Sequence, residues 1–143
     1  MLSDNPVKKV LVVDDNEDVL RSMKILLELG GLKVTTVEDG EKAFEEIKSD
    51  KYDLLILDVA MPRIDGVKLF QMVKDHEEYR GTPVLFTSGF PIWTEPEGQR
   101  KRIFHKAEAY IQKPFNTEVF METVRKLLTK QTTVPPAAES RSS

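Results

Sequence analysis

The strongest constraint on the fold is an alternation of two periods. Five times along the chain, a short apolar or β-branched run gives way to a stretch of helical spacing. Val10 to Val13 and Leu54 to Leu57 are unbroken apolar runs, and such strands belong in sheets covered on both faces. After the first run, Asn16 is a candidate N-cap. Val19, Met23, Leu26 and Leu27 then recur on one helix face, and Gly30-Gly31 stops the helix. Lys33 to Val37 is a second strand. Asp39-Gly40 opens a second helix, with Ala43, Phe44 and Ile47 inward. Leu54 to Leu57 is the third strand, and Val67, Phe70 and Val73 mark a third helix after Asp65-Gly66. Pro83 to Phe86 is the fourth strand. Arg100 to Lys106 is a fourth helix, with Ile103, Phe104 and Ala107 apolar. Ala109 to Ile111 is a fifth strand. Asn116 or Thr117 caps a last helix bearing Phe120, Val124, Leu127 and Leu128. The expected class is α/β: a doubly wound, five-stranded parallel sheet with helices on both faces.

Length and composition narrow the function. At 143 residues the chain is one domain. No apolar run approaches the roughly 20 residues that cross a bilayer, so no membrane insertion is expected. Met1 to Lys9 lacks the apolar core of a signal peptide. Cysteine is absent, which excludes disulfides, thiolate catalysis and Cys-ligated zinc and suits a reducing, cytoplasmic setting. A net charge of −3 argues against general polyanion binding. Residues 8–128 are expected to form the domain. Residues 129–143, rich in Thr, Pro, Ala and Ser, read as a polar tail or a truncated interdomain linker.

In open α/β sheets, ligands sit at the carboxyl ends of the strands. There the sequence places Asp14-Asp15 after the first strand, Asp58 after the third, Thr87-Ser88 after the fourth and Lys113-Pro114 after the fifth. Three carboxylates held close repel one another and invite a divalent cation, and an oxygen-only donor set suits Mg2+. A lysine beside them offsets charge and can pair with a phosphate oxygen. An aspartate between a metal and a lysine can act as a nucleophile toward phosphorus. Each residue alone has an ordinary explanation as a helix cap, a loop residue or a turn. Their coincidence at four strand ends favours a site.

In this order the pieces resemble the receiver domain of two-component response regulators, of the single-domain, chemotaxis-regulator-like kind. They are Asp14-Asp15, Asp58-Val59-Ala60-Met61-Pro62 with Asp65-Gly66, Thr87-Ser88, and Lys113-Pro114-Phe115. The resemblance covers Lys8 to Leu128. It implies a flavodoxin-like (βα)5 fold with strand order 2-1-3-4-5. It implies that Asp58 accepts a phosphoryl group from a histidine kinase or phosphotransfer protein. It further implies that Asp15, Asp58 and the backbone carbonyl of Ala60 bind Mg2+ directly, with Asp14 acting through a water. Lys113 would contact the phosphoryl oxygens, Thr87 would move toward them, and Tyr110 would change rotamer. The Lys113-Pro114 bond would be cis. The output would pass through the face made by the fourth helix, fifth strand and fifth helix, to a downstream protein target or a fused effector domain. Tyr110 has a second reading as half-buried packing.

Several features stand apart. Ala60 and Gly89 are small where family members often carry larger or polar side chains, which leaves the phosphoryl group open to water. Trp93, with Phe90 and Ile92, reads either as a partner contact or as packing back onto the domain. Arg100, Lys101, Arg102, His105 and Lys106 form a basic cluster, read as a solvated helix face with an acidic partner as the alternative. His76 and His105 lack a second ligand at metal spacing. No DNA-binding unit and no nucleotide-binding glycine motif appears. The rival functions are a Mg2+-dependent aspartate-nucleophile phosphatase and a phosphate-independent interaction module. The first lacks a second Asp two residues after Asp58, where Ala60 stands. The intact Asp58, Thr87 and Lys113 argue against the second.

Overall fold

Each apolar run becomes a strand, and the two-sided apolar patterning explains how the layers form. The computed structural model describes residues 7–61, 63–89, 98, 102–103 and 105–130. Its elements are β1 (Lys9–Val13), α1 (Glu17–Leu29), β2 (Lys33–Val37), α2 (Gly40–Ser49), β3 (Leu54–Asp58), α3 (Gly66–Lys74), β4 (Val84–Ser88), β5 (Ala109–Gln112) and α4 (Thr117–Lys130). All strand pairs are parallel, in the order β2-β1-β3-β4-β5.

Alternate strand residues feed two cores. Leu11, Val13, Leu55, Leu57, Val84 and Phe86 face α2 and α3, where they meet Ala43, Ile47, Val67, Phe70 and Val73. Val10, Val12, Leu54, Ile56 and Leu85 face α1 and α4, where they meet Leu20, Met23, Leu27, Phe120 and Val124. Leu54 to Leu57 are no more than 1% exposed. Burying each contributes about 1.5–3 kcal/mol against leaving it in water. This two-sided burial is why the third strand shows no polar alternation.

The helix starts are set by side-chain caps, each oxygen accepting from orphan N–H groups of the first turn. Asn16 Oδ1 accepts from the N–H of Asp18 at 2.8 Å and of Val19 at 3.1 Å. Asp39 accepts from Lys42 N–H, and Asp65 from Lys68 N–H. Asn116 accepts from Glu118 and Val119.

The structure differs from the sequence reading at element ends. β4 runs on through Thr87 and Ser88, because those residues pair in register with Ile111 and Gln112 of β5. β3 likewise includes Asp58, which pairs with Thr87. In α1, Leu20 is buried while Leu26 is only partly so, which rotates the buried face slightly from the expected stripe. The last helix continues through Thr129 to Lys130. Arg102 and Ile103 are helical, but Arg100, Lys101 and Phe104 lie outside the described residues. So do Phe90, Ile92, Trp93 and the segment 131–143.

Candidate functional site

The parallel register brings the chemistry to one edge. Val13 pairs with Leu57, so Asp14 follows β1 beside the Asp58 end of β3. Asp58 pairs with Thr87 on β4, and Thr87 with Ile111 on β5, two residues before Lys113. Asp14 is 1% exposed, Asp58 5%, Thr87 1% and Ser88 5%, whereas Asp15 is exposed. Four strand ends therefore form a cup with two buried carboxylates at its base and one at its rim.

Polar contacts hold the cup. The Lys113 ammonium donates to Asp14 Oδ2 at 2.8 Å and lies 3.6 Å from Asp58 Oδ1. Asn16 N–H donates to the other Asp14 oxygen at 2.9 Å. Ala60 N–H reaches Asp58 Oδ1 at 3.4 Å. Lys113 N–H donates to the Ser88 carbonyl, which ties β5 to the end of β4. The Lys113-Pro114 peptide bond is cis. Tyr110 pairs with Phe86 in register and is partly buried against the α2/α3 core.

Electrostatics make Asp58 unusual. Burial, and next the neighbouring Asp14 carboxylate, push its pKa up to about 6. Lys113 and the Ala60 N–H oppose that rise, and Asp15 adds a smaller push upward. Such a group gains from any cation that joins it.

The donor set fits a hard divalent cation. Asp14, Asp15 and Asp58 each offer one carboxylate oxygen, and these oxygens lie within 4.8 Å of one another. Oxygen-only ligation with room for water is what Mg2+ requires. His76 and His105 are both exposed and belong to no such group among the described residues. His76 instead packs its ring 5.5 Å from those of Phe44 and Tyr79.

Gly66, part of the Asp65-Gly66 piece of the resemblance, has a contact that the sequence did not reveal. An ideal Cβ at Gly66 would stand 2.2 Å from the Asp58 carbonyl oxygen and 3.1 Å from Val59 Cα. Gly66 N–H also donates to the Val59 carbonyl at 3.1 Å. The start of α3 thus presses directly on the backbone that carries Asp58. The Asp-Gly pair marked a helix start in the sequence, but nothing in a one-dimensional pattern shows what the glycine touches.

Comparison with known proteins agrees with this architecture. A family model described as the response regulator receiver domain matches residues 10–125. The polar-differentiation response regulator DivK of Brucella anthropi is 30% identical over 122 residues, covering 85% of this chain and 96% of that protein. The chemotaxis protein CheY4 of Vibrio cholerae superposes with a TM-score of 0.76 at 28% identity, covering 85% of this chain and 99% of that one. The response regulator TrrA of Thermotoga maritima, solved in complex with Mg(2+)-BeF, gives a TM-score of 0.73 at 28% identity over 85% of this chain and 99% of that one. No helix among the described residues is long and apolar enough to cross a membrane. A family match over most of the chain, together with the shared fold, establishes that this protein belongs to the response regulator receiver domain family.

Proposed function

We propose that this receiver is a cytoplasmic signalling switch that takes a phosphoryl group onto Asp58 from the phosphohistidine of a histidine kinase or phosphotransfer protein. The observation that carries the reading is the position of Asp58. Its buried carboxylate ends β3 between the Asp14–Asp15 pair and the Lys113 ammonium 3.6 Å away. That is a nucleophile with an ammonium beside it, held by Asp14, and with Asp14 and Asp15 close enough to share a divalent cation with it.

In the transfer, a carboxylate oxygen of Asp58 bonds to phosphorus as the donor's P–N bond breaks. The imidazole leaves with the electron pair and takes up a proton from solvent. Asp15, Asp58 and the Ala60 carbonyl would hold Mg2+, with Asp14 acting through a water; when bound, the ion neutralises charge on the phosphoryl oxygens. Lys113 exchanges part of its contact with Asp14 for a phosphoryl oxygen. The Thr87 hydroxyl, in register beside Asp58, donates to another. The added charge of about −1.5 to −2 is what both donors respond to.

Movement of Thr87 at the end of β4 would be transmitted to β5 and to Tyr110, and so to the surface read by a downstream protein or fused effector. Phosphate shifts that equilibrium only as far as it favours one arrangement. The chemistry is self-modification with slow loss of the phosphate rather than turnover of a separate substrate. An aspartate-nucleophile phosphatase would need an acid where Ala60 stands.

The test is calorimetric titration with Mg2+, followed by transfer from a phosphorylated histidine kinase. Mg2+ binding that is lost in Asp15→Asn, with transfer that requires both Mg2+ and Asp58, is the expected outcome. Transfer that proceeds unchanged in Asp58→Asn would overturn the assignment.

A further inference from the structure

A second surface lies on the α3 side, away from the carboxylate cup. Between α3 and the residues Arg102, Ile103 and Lys106 runs a groove of about 740 Å3. Among the described residues, Lys68, Lys74, Arg102 and Lys106 line it, with Asp75 the one carboxylate. This is a local excess of positive charge on a chain whose net charge is −3.

The four cations are not equivalent. Lys74 is already committed: its ammonium donates to the carbonyls of Arg80 at 2.8 Å and Thr82 at 3.1 Å, over the Phe70 ring. Lys74 is therefore part of the wall. Lys68, Arg102 and Lys106 are exposed and form no ion pair with any described residue. Some helical cations elsewhere pair with an acid three or four residues away, as Arg21 does with Asp18 and Lys24 with Glu28, whereas Asp65, three residues before Lys68, caps α3 by accepting the Lys68 N–H. Like charges gathered without an ion-pair partner among the described residues repel one another, and an incoming anionic partner relieves that cost.

We propose that this groove docks an acidic segment of a partner protein. The charge is supplied by two elements along an open trough, which matches a length of chain bearing several carboxylates better than one ion. Nucleic acid fits less well, because the chain as a whole is acidic and Asp75 lines the groove. This inference goes beyond phosphoryl transfer and does not depend on it. Lys68, Arg102 and Lys106 take no part in the cup.

The experiment uses the full chain and a short fluorescein-labelled peptide in which Asp-Glu pairs alternate with single leucines. Anisotropy reports binding, and amide shift mapping reports its place. Lys106→Glu and Arg102→Glu are each expected to weaken binding about tenfold. Lys42→Glu, an equal charge change on exposed α2, should leave it nearly unchanged. Phosphate uptake on Asp58 should be the same in all three variants, which separates this proposal from the function of the cup. Shifts should cluster on α3 and residues 102–106. Equal weakening by Lys42→Glu, shifts elsewhere, absence of binding, or tighter binding of a single-stranded oligonucleotide of the same length would each overturn the proposal.

Discussion

Gly66 presses against the backbone of Asp58 so closely that a Cβ there would stand 2.2 Å from the Asp58 carbonyl oxygen. The neighbour is main chain, so it cannot swing aside. Gly66→Ala should destabilise the fold by about 1–3 kcal/mol through overpacking. It should also slow phosphate uptake, because the displaced atoms carry the acceptor. Gly89→Ala is the comparison, since a Cβ there meets no described residue within 4 Å. It should stay within about 0.5 kcal/mol of the parent. Urea denaturation of the two variants checks the contrast.

Lys113 holds Asp14 at 2.8 Å, and Asp14 is 1% exposed. Removing the ammonium leaves a buried carboxylate beside two others. Lys113→Ala should therefore destabilise the protein by about 1–3 kcal/mol, less than for a fully buried pair because Lys113 is partly exposed. Mg2+ should restore more stability to the variant than to the parent, since the ion and the ammonium answer the same charge. Thermal melts with and without Mg2+ measure this. Equal Mg2+ effects in both proteins would contradict the electrostatic account.

The raised pKa of Asp58, about 6 against an ordinary 3.8, has a stability consequence of definite sign. The folded state binds the proton more tightly than the unfolded state. Asp58 therefore costs no stability below about pH 4. The cost grows as pH rises through the window from 4 to 6 and is full above it. Without Mg2+, Asp58→Asn should be more stable than the parent at pH 7, by about 1–3 kcal/mol, with the gap closing toward pH 4. Parallel pH profiles for the two proteins would refute this cause.

Gly89 follows the Thr87-Ser88 end of β4, and no atom of a described residue lies within 4 Å of where its Cβ would stand. Asn or Glu can enter there without disturbing the fold. With Ala60 also small, neither side chain shields the phosphoryl group or orients a water. Gly89→Asn should change the phosphate lifetime several-fold while leaving the melting temperature nearly unchanged. A lifetime equal to the parent's would show that this position does not control water access.

The fold was legible in the sequence for identifiable reasons. Runs such as Leu54 to Leu57 are buried on both faces, so apolar continuity alone marks them as central strands. Asn16, Asp39, Asp65 and Asn116 cap helices through contacts only two or three residues away, which a local pattern captures. The strand ends were less legible. Thr87 and Ser88 belong to β4 because β5 pairs with them, and that partner lies more than twenty residues on. Strand order came from the family resemblance rather than from spacing. The convergence of Asp14, Asp58 and Lys113 followed from the residue types at the strand ends. Which carboxylate Lys113 would grip did not follow, and neither did the contact of Gly66 with Asp58. Both are decided by ångström-scale placement across elements far apart in the chain. The groove beside α3 was visible only as a basic run from Arg100 onward; its other wall, Lys68 to Asp75, is α3 and its C-cap, some thirty residues earlier in the chain.

The central claim is that Asp58 is the phosphoacceptor, and intact-mass analysis tests it most directly. Incubation of the protein with Mg2+ and acetyl phosphate should add the mass of one phosphoryl group. That adduct should survive acid, be lost in base, and map to the peptide containing Asp58. Asp58→Asn should add none. No adduct on the parent protein, or an equal adduct on Asp58→Asn, would contradict the account.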